Sequence, residues 1–122
     1  MMLLSADAAI EGATGLAAIL FPGVVIWLLF AADPPPIGTA LARLMGICLL
    51  ALSTGCWLGR REKGTSAALV SMLIYNILTT AYFIFLGLRG ELVGILLWPA
   101  ALFHLVVSVL LATAQRATAD DV

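Results

Sequence analysis

The chain has 122 residues, 63% of them hydrophobic and 11% charged, with a mean hydropathy of +1.14 and a formal net charge of −1. A water-soluble domain carries roughly a quarter of its residues as charges, so this sequence lacks the polar surface to cover a globule of its size. The near-neutral balance also excludes the basic face that a nucleic-acid partner requires.

From the N-terminus, the stretch MMLLSADAAIEGA has no basic residue and places Asp7 and Glu11 where a cleaved signal peptide would be positive. The first apolar run is therefore expected to stay with the protein. Four such runs follow one another, at roughly 8–31, 37–58, 66–88 and 92–113. Each matches the ~20 apolar residues that cross ~30 Å of hydrocarbon as a helix. None shows the period-2 alternation of a barrel strand, which leaves the helix as the way to satisfy the backbone in lipid.

The breaks between runs have physical causes. ADPPPIG holds three prolines, each without an N–H to continue a helix, GRREKGTS is charged and bounded by Gly59 and Gly64, and LRGE is a tight turn. Short connections make consecutive helices antiparallel neighbours. The expected fold is all-α: one up-down-up-down four-helix membrane bundle filling residues 1–122 as a single domain. Arg60, Arg61, Lys63 and Arg116 fall on one side of such a bundle, and Arg89 on the other. Basic residues in short loops stay inside, so both termini are expected in the cytoplasm of an inner-membrane, multi-pass protein. Trp27, Trp57 and Tyr82 stand near span ends, as interfacial aromatics do.

Helices in lipid associate through close contact between small residues. The second run has Gly38, Ala42, Gly46, Ala51, Gly55 and Gly59 at or near a spacing of four; the first has Ala8 with Gly12, and Glu11 with Gly15. These rows suit either the bundle interior or a homodimer seam. Cys48 and Cys56 are eight apart in one run, about 12 Å along a helix, too far for a disulfide and with no C-x-x-C motif.

Function must reside in the polar residues of the spans, because an ionisable group in lipid is costly and faces the bundle or water. His104, the one histidine, and Asn76 come to similar depths in the fourth and third runs. Met72, Asn76, Thr79, Thr80 and Phe83 form one helical stripe, and Ala100, Ala101, His104, Ser108 and Ala112 another. His104 is expected to face the interior beside Asn76 as an uncharged ring. Asn76, His104, Arg43, Thr80 and Ser108 are the candidate ligand-binding residues. Pro99 is expected to kink the fourth helix and free the carbonyl of Ile95. One histidine with no carboxylate at its level makes a poor metal set, so no metal is expected. Glu11, placed about a turn inside the first run, reads as an interfacial carboxylate paired with Arg60, Arg61 or Arg116; with His104 it is also the candidate proton site. Arg43, near the outer end of the second run, is expected to pair with Glu91 or Asp33.

Three stretches, ARLMG, YNILTTAYFIFLGLRG and LLWPAALFHLVVSVLLA, resemble the DoxX-like group of small bacterial four-helix membrane proteins. The similarity runs from about Ala9 to Ala112 and rests on an Arg-x-x-Gly in the second span and a Trp-Pro followed by a histidine in the fourth. It implies an antiparallel four-helix membrane bundle. Members of the group are associated with membrane redox complexes, with small-molecule traffic or with assembly of other membrane proteins. No catalytic residue set carries over.

No nucleophile–base pair and no cofactor fingerprint stands in the sequence, so no cofactor is expected and an enzyme is the less favoured class. The expected function is a non-enzymatic membrane protein that binds a lipid, quinone or other apolar ligand in the bundle, or serves as a subunit of a homodimer or larger membrane complex. The alternative is a small proton-coupled transporter using Glu11 or His104.

Overall fold

A computed structural model describes residues 2–62 and 66–120, with side chains through Arg116. The described residues form five helices and no strand: α1 (Met2–Leu20), α2 (Pro22–Phe30), α3 (Pro36–Gly59), α4 (Ala67–Arg89) and α5 (Leu97–Asp120). Four of them, all but α2, are long and apolar enough to cross a membrane.

The expected first span is thus two helices. Proline at 22 has no N–H for the carbonyl four residues earlier, so the ladder stops. Phe21 takes φ −130° and ψ 55°, and α2 restarts with Pro22 in its first turn. The first helix also starts six residues before the expected position, at Met2. This shift moves Glu11 from the end of a span to the middle of α1, about 13 Å from its start by helical rise. Ala31, in the left-handed region at φ 52°, ends α2 with its N–H on the Trp27 carbonyl at 2.8 Å.

Helix ends elsewhere follow local chemistry. Ser66 caps α4, its hydroxyl accepting from the Leu69 N–H at 3.2 Å. Gly90 ends that helix at φ 73°, a conformation that side-chain-bearing residues rarely adopt. The last helix begins at Leu97 rather than at residue 92, which puts Pro99 in its first turn. A proline there forfeits a donor that has no intrahelical partner anyway, so Pro99 helps start α5 instead of kinking it. Residues 94 and 96 lie along the end of α2, with Gly94 N–H on the Leu29 carbonyl at 2.8 Å and Leu96 N–H on the Leu28 carbonyl at 2.9 Å.

The helices pack as two close pairs, α1 with α3 and α4 with α5. Glycine makes the first contact possible. A Cβ on Gly46 would stand 2.5 Å from the Gly15 carbonyl oxygen, and one on Gly15 would stand 2.8 Å from that of Gly46. Ser53 adds a hydrogen bond from its hydroxyl to the Ala8 carbonyl at 2.5 Å. The small-residue row through Gly46 is therefore an intrachain seam, whereas Gly55 has nothing within 4 Å of where its Cβ would be.

Polarity is arranged inside out. Leu58 and Leu88 are 74% and 78% exposed, while Asp7, Glu11 and Asn76 are 1%, 3% and 0% exposed. Such a distribution is unstable in water, because a large apolar exterior and a buried ionisable interior are both unfavourable there. Lipid removes the first objection and explains the second, since it drives polar side chains inward.

Candidate functional site

Asp7 and Glu11 are one turn apart in α1 and therefore share a face. That face reaches toward the α4–α5 pair, and Gly15 of the α1–α3 seam lies one turn further along the same row. From α4 come the adjacent Tyr75 and Asn76, and from α5 comes His104. Five polar side chains on three helices meet between the two helix pairs.

Asn76 is the hub. Its Nδ2 donates to Asp7 Oδ2 at 2.9 Å and to the Met72 carbonyl at 3.0 Å. Both amide hydrogens are thereby used, and Oδ1 is left to accept. His104 Nδ1 lies 2.7 Å from that Oδ1. An acceptor facing the ring requires a donor, so Nδ1 carries the hydrogen, and the network sets the tautomer. The expected pairing of His104 with Asn76 is present in the structure, with both residues facing the interior.

Glu11 is held at both oxygens. Its Oε2 accepts from the Tyr75 hydroxyl at 2.9 Å, and its Oε1 lies 3.5 Å from His104 Nδ1. The histidine thus does have a carboxylate at its own level, contrary to expectation; the six-residue shift in the start of α1 brings Glu11 there. No arginine or lysine among the described residues pairs with Asp7 or Glu11. The imidazole is enclosed edge-on by Tyr75, Phe83 and Phe103, with ring centroids at 5.6, 5.8 and 5.4 Å. These rings keep bulk water away and leave the local field weakly screened.

The other candidate ligand-binding residues are placed by their own contacts. Thr80 and Ser108 do face inward, but each hydroxyl donates to the carbonyl one turn earlier, Asn76 at 2.8 Å and His104 at 2.7 Å. They line the site and brace its two helices. Arg43 is exposed and donates from Nε to the Ile19 carbonyl at 3.3 Å, while Glu91 pairs with Arg89 at 3.0 Å. The expected Arg43–Glu91 or Arg43–Asp33 pair is therefore absent. A bare carbonyl near the end of α1 is within reach of the guanidinium, and a neighbouring loop arginine takes the glutamate. Ile19 is eight residues from Glu11, about 12 Å along α1, so Arg43 stands apart from the cluster. Arg60 stacks on its own neighbour Trp57, 4.3 Å from the ring, and does not reach Glu11.

Asp7 and Tyr75 were not among the expected site residues. The Asp7–Glu11 spacing of four was a visible signal, since two carboxylates on one face of an apolar helix are costly without a common purpose. No cluster of three or more metal-ligating side chains is present among the described residues. Comparison with family profiles, curated proteins and solved structures returns no match to this chain.

Proposed function

We propose that this chain is a four-span membrane protein that exchanges protons at the Glu11–His104 pair inside its bundle, as a small proton-coupled carrier does. A single observation carries the reading: Glu11, 3% exposed and with no Lys or Arg partner among the described residues, lies 3.5 Å from the one histidine of the chain. Two carboxylates and one imidazole share this interior. At best the imidazolium offsets one carboxylate, so a neutral site must hold a further proton or take in a cation. An interior that changes its proton content as its access changes is the minimal device for coupling proton movement to a second solute. Tyr75 and Asn76 position the pair, and the apolar exterior matches a bilayer.

Infrared difference spectroscopy of the purified protein in lipid, between acid and alkaline pH, tests this reading. A reversible carbonyl band of a protonated carboxyl is expected in the parent and should be changed in Glu11→Gln. Spectra that are identical for the two proteins would contradict it. In this reading both termini and the Arg60–Lys63 segment lie in the cytoplasm, following the bias of basic residues, and the inner membrane is the compartment. The DoxX-like resemblance fits a four-span bundle of this size.

A second reading, binding of a lipid tail or quinone, draws on an open depression of mixed polar and apolar lining. It is lined by Phe85, Leu86, Arg89, Glu91 and Leu92 at the end of α4. Retention of such a molecule through purification, detected by native mass spectrometry, would support it.

A further inference from the structure

Among the buried side-chain nitrogen and oxygen atoms of the described residues, Asp7 Oδ1 alone has no hydrogen-bond partner. The rest of the cluster is closed around it. Asn76 has committed both amide hydrogens and its oxygen, and Glu11 has Tyr75 on one oxygen and His104 beside the other. Asp7 joins this network through Oδ2 only. An unpaired buried carboxylate oxygen is expensive. What satisfies this atom is a donor or a positive charge.

We propose that Asp7 is the attachment point for a compact monovalent cation, a sodium ion or the ammonium head of a small amine, which replaces a proton inside the bundle. The proposal rests on the proton-exchange reading above and assigns that exchange its second solute. Charge sets the stoichiometry. One monovalent cation enters at Asp7 and one proton leaves the cluster for solvent, so the net charge of the interior is unchanged.

Size sets the class. Beside Asp7 and its partner Asn76, one core cluster contains Leu4, Cys56, Leu69 and Met72, each 0–1% exposed. A close-packed surround of this kind favours a compact cation over a bulky one. The groups that interact with Asp7 are Glu11 on its own helix, Cys56 from α3, and Tyr75 and Asn76 from α4, with His104 of α5 joined to it through Asn76; none carries a permanent positive charge. A cation therefore meets attraction from Asp7 and Glu11, with no Lys or Arg among the described residues to displace.

The test uses the full chain in detergent, in weak buffer with a pH-indicating dye. Sodium, ammonium, methylammonium or choline chloride is added at constant ionic strength. Saturable release of close to one proton per chain is expected with sodium or with the two small ammonium salts, and none with the bulky choline. A response to sodium alone identifies an alkali-metal site, and a response to ammonium and methylammonium alone an amine site. Melting temperature should rise with the same cation at the same midpoint. Both effects should vanish in Asp7→Asn. No proton release with any of the salts, or release that persists in Asp7→Asn, overturns the proposal. Should Asp7→Asn fail to fold, Asp7→Glu keeps the carboxylate but lengthens its reach by one methylene, and is expected to shift the sodium-to-methylammonium preference at least several-fold. An unchanged preference overturns the proposal as well. The infrared band of Glu11 separates the two failures: present without cation-driven release, it sinks this inference alone; absent, it sinks the proton-exchange reading too.

Discussion

Replacing Asn76 by leucine should be among the most damaging near-isosteric changes in the protein. Leucine keeps the branched shape of asparagine but is bulkier, so at this fully buried position overpacking adds to the electrostatic loss. Two contacts between helices are lost, to Asp7 Oδ2 at 2.9 Å and to His104 Nδ1 at 2.7 Å. Hydrogen bonds between helices in lipid are worth about 0.6–2 kcal/mol each. In addition Asp7, whose Oδ1 already lacks a partner, would be left with both oxygens bare, and a buried polar group stranded in this way costs about 1–3 kcal/mol. The expected loss for Asn76→Leu is therefore about 2–7 kcal/mol before any cost of overpacking. Thr80→Val removes one bond within α4 and should cost no more than about 1 kcal/mol. Unfolding by added SDS in mixed micelles, followed through the fluorescence of the three tryptophans, measures both. A double-mutant cycle of Asn76→Leu with Asp7→Ala should show a coupling of about 1 kcal/mol. If Asn76→Leu lies within about 0.5 kcal/mol of the parent, or the coupling is zero, the hub role of Asn76 is wrong.

Three further outcomes follow from the same geometry. Gly46→Val should destabilise by about 1–3 kcal/mol or more, because its side chain enters the Gly15 backbone where even a Cβ would stand 2.5 Å from the carbonyl oxygen; Gly55→Val, pointing into open space, is the matched control and should be near neutral in the same SDS titration. Arg43→Leu should change stability by less than about 1 kcal/mol, since it removes one exposed bond to a backbone carbonyl, and a larger loss would show that Arg43 has a partner of greater weight. With Cys48 and Cys56 replaced by serine, Glu91→Cys should react with an impermeant maleimide added outside intact cells and Arg61→Cys should not; the reverse pattern would invert the topology.

The sequence displayed the architecture because its signals were redundant. Long apolar runs, proline clusters and charged turns mark the ends of α3 and α4 to within a residue or so. The His104–Asn76 contact was also legible, because both residues interrupt apolar helices at comparable depth. What stayed hidden was the start of α1. Ser5, Asp7 and Glu11 dilute the apolar pattern there, so the helix reads as beginning at residue 8. That shift turned a mid-helix carboxylate into an interfacial one and left Asp7 outside the span. The break at Pro22 was obscured for the opposite reason, since α2 is apolar throughout and keeps the run continuous across Phe21. Arg43 was misread because a backbone carbonyl, available to the guanidinium at Ile19, leaves no trace in residue identity.

The claim that Glu11 and His104 exchange protons within the membrane is tested most directly by a pH jump on proteoliposomes adsorbed to a solid-supported membrane. A proton that enters a buried site crosses part of the low-dielectric layer and displaces charge, and no transported solute is needed to see it. The parent protein should give a transient current on stepping the pH, larger than that of protein-free liposomes, and Glu11→Gln should abolish most of it. A parent signal no larger than that of empty liposomes, or one that survives undiminished in Glu11→Gln, would contradict the account.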